Sequence, residues 1–146
     1  MSSAVVVDDH LLLRVLLGDE PSQLRPRGGR LITTGLWYHR LARALANPTV
    51  TGALSRSLGG VDGQLAAAAI TAVIDLPETV GLASLRTLAW PMARLLADGA
   101  RLNLMSLEAL AAAHHHGAAI CLDPSDTNIP LVAAAQDRGV EVRLVA

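Results

Sequence analysis

The chain has 146 residues, which fits one domain and lets folding bury roughly two thirds of the unfolded surface without a disulfide or metal staple. Its 51% hydrophobic and 17% charged residues exclude a disordered chain, and a net charge of −1 excludes a global pull toward nucleic acid. All 12 basic residues are Arg, so chemistry that needs a lysine is closed to it, and the lone Cys121 excludes an internal disulfide.

Phe is absent, so the core must be Leu, Val and Ala, and Trp37, Tyr38 and Trp90 are the only large rings in the chain. No apolar run reaches the roughly 18 residues of a membrane span, and the first strand has neither the basic segment nor the cleavage site of a signal peptide. With one unpaired cysteine, the expectation is a soluble protein of the reducing cytoplasm.

In chain order, Ala4–Val7 is a β-branched run of the buried parallel type. Asp8 or Asp9 then caps a helix with Leu11, Leu12, Val15 and Leu16 on one face, ended by Gly18. DEPSQLRPRGG is a loop, and Leu31–Thr33 a short strand. Thr34 caps a helix that stops before Asn47-Pro48. Residues 49–72 read as one or two helices around Gly59-Gly60. AVIDL, Ala72–Leu76, reads as a strand closed by Pro77, and Thr79–Ala97 as a helix with Pro91 a kink or restart. Ser106 caps a helix through His116, stopped by Gly117. Ala119–Leu122 is a strand, Ile129–Asp137 a helix capped by Gly139, and Val140–Val145 a last strand. This alternation predicts one α/β domain over residues 1–146, a three-layer sandwich with a mostly parallel, short-stranded sheet and helices on both faces.

Acids fall where such a sheet places ligands, at the carboxyl ends of strands. Asp8 ends the first strand; the bland alternative is a helix cap worth about 1 kcal/mol. Glu108 sits in the first turn of SLEALAAA, where a helix N-terminus favours a carboxylate. Asp123 and Asp126 follow a strand in LDPSD, and turn chemistry alone would also place them there. Converging carboxylates need a cation, and hard oxygen ligands suit Mg²⁺ or Mn²⁺. Arg25, Arg27, Arg30, Arg40 and Arg43 form either a local phosphate-binding face or an ordinary solvated surface. Three consecutive histidines, His114 to His116, point about 100° apart on a helix and cannot face one metal, so they read as a charged helix end. Cys121, inside a buried strand, reads as a core residue.

The opening VVVDDHLLLRVLL resembles the start of a response-regulator receiver domain, whose paired acids bind Mg²⁺. That likeness ends after about a dozen residues: the phospho-accepting Asp is missing from TVTGALSRS, Asp75 comes some 20 residues late, and the late lysine does not exist. Over nearly its whole length the element order is similar to the PIN-domain family, which includes the ribonuclease toxins of toxin–antitoxin pairs. VVVDDHLLL resembles that family's opening strand, acid and helix, and LNLMSLEALAAAHHHGAAICLD its late helix and strand. AVIDLPE resembles its short middle strand, and IPLVAAAQDRGVEVRLV its closing helix and strand. The resemblance implies a Mg²⁺-dependent endoribonuclease with Asp8, Glu108 and Asp123 as metal ligands and Asp126 as a further catalytic acid. It also implies RNA as substrate, a small antitoxin partner and a homodimer.

Two positions depart from the pattern. His10 replaces a small hydroxyl residue, and Arg40, in RLARAL, replaces an acidic residue; no Asp or Glu lies between Glu20 and Asp62 to take its place. If Arg40 projects inward, it pairs with Asp8 or Glu108 and stands in for the metal, leaving a catalytically degenerate PIN-like module that binds protein or RNA. If it points outward, with Arg43 near, it binds RNA phosphate and leaves the acids one metal.

Overall fold

The structure, a computed structural model, describes residues 3–49 and 63–146. Five parallel strands, β1 (Ala4–Val7), β2 (Arg30–Thr34), β3 (Val80–Ala83), β4 (Ala119–Leu122) and β5 (Val142–Leu144), form one sheet in the order β3-β2-β1-β4-β5. Among the described residues six helices accompany them: α1 (Asp9–Leu16), α2 (Gly35–Ala46), α3 (Gly63–Ile74), α4 (Leu85–Ala97), α5 (Leu104–His116) and α6 (Ile129–Asp137).

β1 is the centre of the sheet. Val5 is in register with Leu31 of β2 on one side and with Ala119 of β4 on the other. The chain steps outward from β1 to β2 and β3, then returns to lay β4 against the free edge of β1. The strand order therefore reverses between β1 and β4, and a crevice opens beyond their carboxyl ends.

Each central strand is buried on both faces, so successive residues enter different cores. Val6, Ile32 and Ile120 pack with Leu88, Leu110 and Leu131 of α4, α5 and α6. Val5, Val7 and Cys121 pack with Leu11, Leu41 and Val73 of α1, α2 and α3. With no Phe to fill space, α5 presents an unbroken buried run from Ser106 to Ala113. Its alanines let it lie deep between the sheet and its neighbours, as an all-round apolar helix must. Two glycines are demanded by geometry. Gly117 ends α5 at φ +59°, and a Cβ on Gly29 would sit 2.7 Å from the Ser3 carbonyl.

The sandwich, β1, β4 and α6 match the sequence reading residue for residue, and α1 and α2 agree closely. Several expectations are corrected. AVIDL is not a strand: α3 runs through Ile74, because Ala66, Ala69 and Val73 keep a helical stripe buried. The third strand is VGLA, where the sequence pattern predicts the start of a helix; that helix begins only after Ser84, whose hydroxyl caps it. Pro91 lies inside α4 and does not break it. α5 starts at Leu104, capped by Asn103 instead of Ser106, with Asn103 Oδ1 accepting from Ser106 N at 2.8 Å. The last strand is shortened to Val142–Leu144. The expected break at Gly59-Gly60 lies outside the described residues.

Candidate functional site

Asp8 follows β1 directly and is fully buried. Its Oδ1 accepts from Leu11 N at 2.9 Å, which caps α1. Its Oδ2 accepts from Asp123 N, also at 2.9 Å, across the strand-order reversal. Burial pushes the Asp8 carboxyl up to about 6, against the two backbone N–H groups that favour its charge. The cap and the crevice acid are thus the same residue, and Asp9 is left free to turn elsewhere.

Glu108 is also fully buried. Because α5 begins at Leu104, Glu108 lies in its second turn, out of reach of its own helix N-terminus. It serves another helix: Oε1 accepts from Leu36 N in the first turn of α2, at 2.8 Å. Its Oε2 has no hydrogen-bond partner among the described residues. A buried carboxylate oxygen without a partner costs about 1–3 kcal/mol, more when charged.

Asp123 is half-buried, and its Oδ1 accepts from Ser125 N (2.9 Å) and Ser125 Oγ (2.6 Å). Burial raises its carboxyl, but the Ser125 hydrogen bonds outweigh this and hold it below the usual range. The turn chemistry expected of LDPSD is real and occupies one of its two oxygens.

Arg40 pairs with neither Asp8 nor Glu108, which overturns the expected partners of an inward arginine. Its Nε donates to Asp9 Oδ2 at 2.7 Å, and its Nη2 to Asp9 Oδ1 at 2.6 Å and to Asp126 Oδ2 at 2.7 Å. The bidentate bond to Asp9 is the main reason its guanidinium is held protonated more firmly than usual, despite partial burial. Arg43 is exposed, Arg25 is paired to Glu20 at 2.8 Å, and Arg30 opens β2 at the opposite end of the sheet. The five arginines therefore do not make one face.

The sequence reading missed Asp9 and His10. Together with Asp126 they offer ligand atoms lying within 4.8 Å of one another, a group that could hold a metal ion. The local signal for them is the acid–His pair in DDH. Asp8, Glu108 and Asp123 reach the same end of the sheet, but among the described residues their oxygens do not form such a close trio. A cavity of about 400 Å³ opens beside Arg40 and Asp126, lined also by Trp37, Ser106 and Asn128. His114 and His115 are exposed at the end of α5 and join no three-ligand group among the described residues. Burial pushes the Cys121 thiol up to about 11, which makes it an inert core group.

The sheet order, its two helical layers and the crevice define an α/β protein of PIN-like fold. The chain is similar to the 2.2 Å structure of VapBC-1 from nontypeable Haemophilus influenzae, with 16% identity, a TM-score of 0.54 and 97% of each chain covered. At that identity the likeness concerns the fold. No protein-family model matches the chain, and no curated protein matches it. Among the described residues, no helix is long and apolar enough to cross a membrane.

One observation at depth suits a divalent ion, the unpartnered oxygen of Glu108. Asp8 and Glu108 are buried acids with no cationic side chain bonded to them among the described residues, and the unpartnered Glu108 Oε2 lacks the partner an ion would supply.

Proposed function

We propose that the chain is a toxin-like endoribonuclease that depends on Mg²⁺ or Mn²⁺ and works beside a small antitoxin partner, as a homodimer. The observation that carries this reading is the pair of fully buried acids, Asp8 and Glu108, whose charge Arg40 leaves unanswered. The fold likeness to VapBC-1 and the PIN-family resemblance support it. Asp8 and Glu108 would hold the ion, with Asp123 beside them and Asp126 at the rim. When bound, such an ion activates water and stabilises a leaving phosphate oxygen. Arg40, Asn128 and Ser106 line the adjoining cavity and would orient an RNA segment there.

A second reading is favoured by one observation. Arg40 already neutralises Asp9 and Asp126, and Asp8 spends both oxygens on backbone N–H groups. A crevice so tied suits a module that binds protein or RNA without cutting it. Calorimetric titration with Mn²⁺ separates the two. The ribonuclease reading expects micromolar binding that Asp8→Asn abolishes, followed by Mg²⁺-dependent RNA cleavage. A wild-type protein that takes up no ion would sink it and leave the binding module.

A further inference from the structure

The carboxylates of the crevice fall into two groups with different electrostatics. Asp8 and Glu108 are fully buried and form no ion pair with a basic side chain among the described residues. Asp9 and Asp126 lie nearer the rim and share Arg40, which spends three N–H groups on them at 2.6–2.7 Å. With His10, these rim residues are also the trio whose ligand atoms stand close enough together to share one ion. The place is therefore shaped for a cation, and the chain fills it with its own.

We infer that Arg40 is a built-in second cation, so that the crevice accepts one divalent ion, at Asp8 and Glu108, and no ion at Asp9, His10 and Asp126. The one ion at Asp8 and Glu108 and the consequence for RNA chemistry rest on the ribonuclease reading; the exclusion of the rim ion by Arg40 does not.

Charge bookkeeping supports the exchange. Asp8, Asp9, Glu108, Asp123 and Asp126 carry five negative charges and Arg40 one positive, a balance of minus four. That single positive charge answers both rim acids without a bound ion. A guanidinium also differs from an ion in permanence, since it cannot shed its proton in a protein or diffuse away. A metal entering the rim would have to break a bidentate, charge-assisted pair and then sit against the displaced positive charge.

The arrangement also leaves Arg40 with work to offer. Nε and both protons of Nη2 are spent on carboxylates, but Nη1 makes no hydrogen bond to any described residue, and Arg40 lines the cavity. Held by two acids, its position is fixed before any ligand arrives. Two-ion phosphodiester sites place a positive charge on each side of the phosphate. In this crevice Nη1, on the wall of the cavity, would be available to a phosphate oxygen. Arg40 is thus a positioning residue for a phosphate oxygen.

The test is the number of Mn²⁺ ions bound per full-length chain, read by calorimetry at pH 7 for the wild type, Arg40→Gln and Arg40→Gln/Asp126→Asn. The expected result is one ion for the wild type, two for Arg40→Gln, and one again for the double variant. An unchanged number in Arg40→Gln overturns the inference. A wild type that binds none beside an Arg40→Gln that binds one supports the role of Arg40 and overturns the ribonuclease reading instead. If Arg40→Gln does not fold, the wild type still decides. The Arg40 Nε–H resonance should stay unshifted under saturating Mg²⁺, and its displacement would overturn the inference.

Discussion

The deep and the rim acids of this crevice have the same side-chain chemistry and opposite solutions to the same problem. Asp9 and Asp126 are neutralised within the chain, by a guanidinium 2.6–2.7 Å away. Asp8 and Glu108 are more deeply buried, yet are answered only by backbone N–H groups. Backbone dipoles stabilise a carboxylate only in part, which is why burial still pushes Asp8 up to about 6. Leaving the most costly charges open while closing the cheaper ones is the pattern expected of the deep cation site proposed above.

The comparison breaks most visibly at Arg40. Arg40→Leu strands the buried Asp9, and unfolding by urea should show a loss of about 2–4 kcal/mol, tempered by the partial exposure of the guanidinium. Added Mn²⁺ should recover part of that loss in the variant. A change below about 0.5 kcal/mol would mean the rim pair is ornamental.

Next comes the pH response of the deep acid. The folded carboxyl of Asp8 sits near 6, above the unfolded value of 3.8. Between those values the native state holds the proton more tightly, so the Asp8 contribution to stability falls as pH rises from about 4 to about 6. The contribution is on the order of 2–3 kcal/mol and stays lost above that window. Metal-free wild type compared with Asp8→Asn should isolate it, since the variant has no such slope. Proton release on Mn²⁺ binding near pH 6, absent at pH 8, would report the same group.

Glu108→Gln should raise the stability of the metal-free protein by about 1 kcal/mol, because it removes an unpartnered buried charge while keeping the bond to Leu36 N. The same substitution should abolish Mn²⁺ binding. A variant that is both less stable and still binds metal would contradict the division into two groups. The smallest effect belongs to Asp126→Asn, about 0.5–1 kcal/mol by thermal melting, since its carboxylate is the more exposed partner of Arg40.

Much of this could be read along the chain. β1 and β4 are short runs of apolar residues bounded by an acid or Gly, and each buries without alternation, as a parallel strand does. The acids at their ends, Asp8 and Asp123, are placed by local pattern alone. What escaped were features set by distant parts. VGLA shows two exposed positions and a glycine, so only its pairing with β2 makes it a strand. The start of α5 hung on Asn103 against Ser106, both good caps, and three residues of difference moved Glu108 from its own helix to the N-terminus of α2. The bond of Arg40 to Asp126 spans 86 positions, and no local pattern encodes it.

The bond from Asp123 N to Asp8 Oδ2 joins residues 115 apart in sequence. During synthesis, β1 is made early and waits as an edge while most of the chain is still to come. Its partner β4 and the turn that carries Asp123 follow more than a hundred residues later. Contacts of such long sequence separation form late in folding. The crevice therefore cannot form from the first half of the chain alone, and whatever it does to a ligand waits until β4 has been made and docked.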